Sequence, residues 1–248
     1  MIFPPREIHF LNWCSFINLK RGVIMEIYLA PSYFIDSDTP SIVAFAHSLS
    51  KEDKTPLEKA ISLYYGVRDG IRYNPYLIEA RRSCMQASYI LEKKEGYCVN
   101  KAVVLAACAR GVGIPARLGF ADVKNHLVTG RLRAMMGTDL FVWHGYTEFY
   151  LEGKWVKATP AFNLELCQAF GVKPLAFDGK NDSIFHPFDV HGNRHMEYVN
   201  DHGSFGDLPF DTMINAYVQA YPRYFELAEF NKKGTAQGFK EEAERENL

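Results

Sequence analysis

Among the residues of this 248-residue chain that could do covalent chemistry, five are cysteines: Cys14, Cys84, Cys98, Cys108 and Cys167. A thiol becomes a useful nucleophile only as a thiolate, and the N-terminal end of a helix favours that charge through its unpaired N–H groups and dipole. Cys98 has the sequence context for this. Glu95-Gly96-Tyr97-Cys98 reads as a turn, and the Ala- and Leu-rich run from Val99 to Arg110 reads as a buried helix stopped by Gly111 and Gly113. The other four fit less well: Cys108 lies deep in that run, Cys84 inside a second helical stretch, Cys167 in an irregular segment and Cys14 in an unusual leading stretch. Taken alone, a cysteine before a helix is just as well a small buried hydrophobe. The second group is His144, which opens an alternating segment beside Trp143. An imidazole there could take the thiol proton, or could simply be a hydrogen-bonded structural histidine.

The spacing after Cys98 weighs for chemistry. Gly96-Tyr97-Cys98 is followed by Arg110-Gly111-Val112-Gly113-Ile114-Pro115-Ala116-Arg117, then by His144, then by Gly153-Lys154-Trp155-Val156. In that order and spacing, and with the lead-in segments Val67–Pro75 and Ala87–Leu91, residues 57–160 resemble the transglutaminase-like superfamily. Several independent pieces agreeing is more specific than any one motif. The resemblance implies an α+β, papain-like fold in which a helical part bearing Cys98 packs on an antiparallel sheet bearing His144. It also implies a thioester intermediate at Cys98, a general base at His144, and no metal or organic cofactor.

One position departs from the family pattern. The third member, normally an Asp soon after Trp-Val, is replaced by Thr159 in Trp155-Val156-Lys157-Ala158-Thr159-Pro160. A hydroxyl can accept a hydrogen bond from the imidazole and fix its tautomer, but it supplies no charge to an imidazolium. Thr159 could equally be a strand-end residue bonding locally, and Asn163 is a competing orienter. For the oxyanion the Cys98 amide is the natural first donor. The second is open, since Gln86 has suitable chemistry at an unsuitable distance.

These residues must be positioned by a helical first half, a strand-rich middle and a loop-rich, then helical, end. Met25 opens a segment that reads as a first strand and turn. Ser41–Leu49 reads as a helix, and Thr55-Pro56-Leu57-Glu58 as the start of another reaching Asp69 and closed by Gly70. Arg81–Leu91 reads as a third. Ile114–Phe120 leads into a strand, residues 122–140 form a long connection, and Trp143–Tyr150 with Lys154–Ala158 read as a hairpin turning at Glu152-Gly153. Asp211–Phe230 reads as helical, and the charged tail 231–248 as a frayed or solvated end. The expected organisation is one domain over 25–230, with residues 1–24 a leading extension of doubtful membership.

Composition narrows the function classes. A 48% hydrophobic content supports a large core, and a net charge of −1 without a Lys/Arg block gives no support to a nucleic-acid or anionic-membrane partner. The cysteines are odd in number and lack a CxxC pair, as expected of free thiols in a reducing compartment. The apolar stretch Ile8–Leu19 is too short to span a bilayer and has no secretory-signal pattern, so a cytoplasmic protein is expected. His186, Asp189, His191 and His195 cluster, yet match no zinc spacing and read as a polar loop with Phe177, Phe185 and Phe188 over the site. Lys124, Arg131 and Arg133 could rim the opposite side and favour a carboxylate-bearing substrate. Taken together, the reading is a thiol enzyme acting on a peptide or amide substrate, oligomeric state open. Its rivals are a catalytically weakened binding module on the same fold and an acyl transferase of the arylamine N-acetyltransferase kind.

Overall fold

Thr55 starts the longest early helix as its sequence requires. Its side chain accepts the Glu58 amide proton while Glu58 returns to the Thr55 amide, a reciprocal cap with Pro56 at the first helical position. The computed structural model describes residues 25–51, 54–185, 191–192, 195–230 and 234–246. In chain order these form α1 (Pro40–Leu49), α2 (Pro56–Gly70), β1 (Arg72–Tyr73), a 3₁₀ turn (Arg82–Met85), α3 (Ala87–Lys93), β2 (Glu95–Gly96) and α4 (Cys98–Gly111). There follow β3 (Ala116–Asn125), α5 (Gly130–Met136), β4 (Leu140–Leu151), β5 (Lys154–Ala158), α6 (Leu164–Ala169), β6 (Met196–Phe205), α7 (Phe210–Ala220), α8 (Pro222–Phe230) and α9 (Ala236–Glu246).

The sheet is antiparallel, ordered β5-β4-β3-β6, and α4 packs against β4 while α1, α2 and α3 surround its other sides. A helix apolar all round must be enclosed on all sides, and from Cys98 to Arg110 every residue of α4 is buried. Its polar members are each partnered. Lys101 Nζ donates to the carbonyls of Arg68 (2.8 Å) and Ile71 (2.6 Å), capping the C-terminal end of α2. Arg110 donates to the carbonyls of Ala30, Ala116 and Gly206, which fixes the bend between α4 and β3. Thr147 Oγ1 donates to the Ala102 carbonyl and pins β4 onto the helix. The α+β arrangement of a Cys98-bearing helical half on a His144-bearing antiparallel sheet is the one the sequence led to.

Several expectations are corrected. Met25–Ala30 forms turns, not a strand. Arg81–Leu91 divides at Gln86, whose extended backbone ends the 3₁₀ turn and starts α3. The connection 122–140 is shorter than expected, since β3 runs to Asn125 and α5 fills its middle. Asp211–Phe230 breaks at Tyr221-Pro222, where proline cannot donate to a continuing helix. The tail is no solvated end: α9 folds back and buries Phe239, Glu242 and Ala243. Leading residues 1–24 lie outside the described residues. Among the described residues no helix is long and apolar enough to cross a membrane.

Candidate active site

Cys98 is the first residue of α4, and Tyr97 before it is extended, its amide donating to Asn100 Oδ1 at 3.2 Å. Gly96 is required by close approach, since a Cβ there would lie 2.6 Å from the Asn100 Cβ. A Cβ on Gly145 would meet the Val99 backbone at 3.0 Å, so glycine lets β4 cross the helix start closely. Residue 144 is thereby placed beside Cys98, and the two side chains line one cavity.

The aim of His144 is set by a bulge. Ala121 pairs with His144 and Val123 with Phe141, so Val142 and Trp143 of β4 together oppose Asp122 of β3. Trp143 takes a left-handed backbone (φ 56°), uncommon and strained for a bulky residue. Asp122 holds it there: Oδ1 accepts the Trp143 amide at 2.9 Å and meets His202 Nε2 at 2.6 Å, while the His202 ring stacks on the indole 4.3 Å away. Bulges next to sites commonly re-aim a side chain, and here the re-aimed residue is the histidine.

The electrostatics correct one expectation. Burial pushes the Cys98 thiol up to about 11 and outweighs the amides that act the other way. Burial also pushes the His144 imidazole down to about 3. In this closed arrangement the two are therefore a neutral thiol and a neutral imidazole, not a thiolate–imidazolium pair. His144 Nε2 is buried without a hydrogen-bond partner, as is Thr159 Oγ1, and no hydrogen bond joins them. Thr159 is 1% exposed; its amide donates to the Ser183 carbonyl and its carbonyl accepts from Tyr64. Its hydroxyl lies near Tyr198 without ordinary hydrogen-bond geometry.

Other predicted residues divide. Phe185 lines the cavity and touches the His144 ring, with centroids 4.9 Å apart, whereas Phe177 packs on Tyr64 and Phe149. Asn163 is engaged elsewhere, accepting the Tyr73 amide at 3.1 Å, and Gln86 donates to the Tyr33 carbonyl. The expected basic rim does not face the cavity: Lys124 pairs with Asp139 and Arg131 with Glu242. His186, Phe188 and Asp189 lie outside the described residues. Tyr73, missed in the sequence, lines the cavity across the β1–β2 pair from Gly96. Burial pushes its phenol well above the ordinary range. No sequence signal marks it beyond its place in the lead-in Arg72-Tyr73-Asn74-Pro75.

No curated protein matches the chain. Among solved structures, a candidate cysteine protease from Cytophaga hutchinsonii is 15% identical with a TM-score of 0.47, over 75% of this chain and 48% of that one. The arylamine N-acetyltransferase from Mycobacterium abscessus is 15% identical with a TM-score of 0.43, over 79% of this chain and 76% of that one. This chain thus spans about half the length of the first, and at these scores neither likeness bears on activity. The model of the transglutaminase-like superfamily matches residues 43–160, a span that holds Cys98, His144 and Thr159. Over that stretch, just under half of the chain, the sequence is similar to the transglutaminase-like superfamily.

Proposed function

We propose that the protein is a thiol enzyme that cleaves or transfers acyl groups at amide bonds, with Cys98 as nucleophile and His144 as general base. The observation that carries this reading is that β4 crosses the start of α4 closely at Gly145, and that Cys98 and the preceding residue His144 line one cavity. Because both groups rest neutral, the thiol proton passes to His144 as sulfur attacks the carbonyl, and the imidazolium then gives that proton to the leaving amine. Water or an acceptor amine resolves the thioester. The backbone amide of Cys98 and the Tyr73 hydroxyl are the candidate donors to the oxyanion.

Thr159 is the place where a second reading has support. Its hydroxyl and His144 Nε2 are both buried and unpartnered, so no third group steadies an imidazolium. A binding module that retains the cavity with a weakened nucleophile is consistent with that gap.

Incubation with a reactive acyl ester separates the two. The enzyme forms an adduct on Cys98 that hydroxylamine removes, is absent in Cys98→Ala, and forms at least about a hundredfold more slowly in His144→Ala, the usual scale of general-base assistance. A binding module forms no such adduct.

A further inference from the structure

We infer that the acyl group this site accepts is apolar and uncharged, such as one bearing an aromatic ring or a short branched chain. The inference rests on the thiol-enzyme reading above and adds the substrate class. Its basis is the wall of the cavity, which encloses about 650 Å³ of atom-free space with its open mouth included. Among the described residues that line it there is no Lys, Arg, Asp or Glu.

The polar atoms in that wall are mostly committed to the protein. Tyr221 Oη accepts the Val142 amide at 2.5 Å, and Tyr217 Oη donates to the Trp143 carbonyl at 3.3 Å. Asn125 Oδ1 accepts the Leu127 amide at 3.0 Å. His144 Nε2, buried without a partner among the described residues, shares the cavity with the nucleophile. A charged or carboxamide-bearing side chain entering here would lose its water without gaining partners, a cost of several kcal/mol for an ion. An apolar group would gain roughly 25 cal/mol per Å² buried.

The C-terminal helix supplies part of the cavity wall. Phe239 of α9 lines it and meets Phe170 (5.4 Å) and Tyr76 (5.9 Å). The helix is fastened by Glu242, which accepts from Tyr76 Oη at 2.5 Å, Thr129 Oγ1 at 3.1 Å and Arg131 at 3.0 Å, and by Glu246, which accepts the Gly130 amide.

In the step proposed, the Cys98 sulfur bonds to the carbonyl carbon and the bond to the leaving nitrogen or oxygen breaks. The thiol proton reaches the leaving atom through His144. Hydrolysis of the thioester consumes one water, releases the acid and restores the thiol.

The test is a panel of p-nitrophenyl esters (acetyl, isovaleryl, benzoyl and hemisuccinyl) with an acetyl-capped glutamine dipeptide amide, using the full chain. Acylation rates are divided by those of uncatalysed hydrolysis, and adducts are mapped by mass spectrometry. The inference predicts benzoyl and isovaleryl donors at least about a hundredfold above hemisuccinyl in kcat/KM, the scale on which a dry pocket rejects an unpartnered polar group. In Phe239→Ala the optimum moves toward a larger acyl group such as naphthoyl, and the wild-type ranking stands as the test if that variant does not fold. Equal rates across the panel, or preference for the succinyl or glutamine donor, overturn the inference and leave the thiol-enzyme reading in place. No Cys98 adduct with any donor, while iodoacetamide still alkylates Cys98, overturns both.

Discussion

Asp122 Oδ1 accepts the amide proton of Trp143 at 2.9 Å, and this one bond spans the bulge that turns His144 toward Cys98. The same carboxylate oxygen meets His202, whose ring lies nearly parallel to the indole at 10°. A left-handed tryptophan has a cost of order 1–3 kcal/mol and persists only where its surroundings over-determine it.

Asp122→Ala removes that determination. Trp143 then relaxes toward ordinary strand backbone and the imidazole loses its aim. Turnover is expected to fall about tenfold or more with KM little changed, because placement is lost and the cavity wall is not. Asp122→Asn, which can still accept the Trp143 amide through its carbonyl, should retain most of the activity. Steady-state kinetics of both variants, with near-UV circular dichroism reporting the Trp143–His202 stack, checks this.

Thr159→Asp restores the charge usual in the family at this position. A carboxylate beside the imidazole raises the His144 pKa and favours proton transfer from Cys98. Alkylation of Cys98 at neutral pH should accelerate by about tenfold, the equivalent of one pKa unit. An unchanged rate in a folded variant would show that position 159 does not address the imidazole.

Acid stability follows from the depressed histidine. In the folded protein the imidazole is pushed down to about 3 by burial, against an ordinary value of 6.5. Between these values the unfolded chain binds a proton that the folded chain refuses, so stability is fully present above about pH 6.5 and falls as pH drops toward 3. His144→Phe should flatten that limb in urea unfolding measured from pH 7 to pH 4. Cys98 acts at the other end: its thiol, pushed up to about 11 by burial from an ordinary value of 9.0, costs stability as pH rises through that window.

Glu242→Ala leaves Tyr76, Thr129 and Arg131 without their shared acceptor. Breaking such a buried, charge-assisted network is expected to cost about 2–4 kcal/mol and to loosen α9. Hydrogen exchange should rise in residues 236–246 before it rises in α4, and Cys98 should become open to bulkier thiol reagents.

Most of the positioning scaffold was legible from residues alone, because its signals are local. The Ala-rich run after Cys98, the Thr55–Glu58 cap and the hairpin around Glu152-Gly153 each specify their element within a few residues. The missed parts depend on distant partners. Strand β6 carries Glu197, Asn200 and Asp201 on a sheet edge with Gly203 in a left-handed backbone, so its pattern is polar and broken. Helix α9 reads as charged because only a few side chains touch the core, and its one buried acid is satisfied by residues more than a hundred positions away. Lys101 looks like a surface lysine until the end of α2 is placed against it. Likewise the grip on His144 joins Asp122 to His202, eighty residues on, and no spacing rule links them. The burial that keeps Cys98 and His144 neutral is a property of the closed cavity and of no segment in it.

The central claim is that His144 withdraws the proton of Cys98. Its most direct test is the rate of iodoacetamide alkylation at Cys98, followed by peptide mass spectrometry from pH 5 to 11 in the wild type and in His144→Ala. The account predicts that near pH 7 the wild-type sulfur reacts at least about a hundredfold faster than that of the variant, the lower end of what a positioned base contributes. It also predicts that the two rates converge toward pH 11, and that Cys84, Cys108 and Cys167 react alike in both proteins. Identical pH–rate curves for Cys98 with and without the imidazole would contradict it.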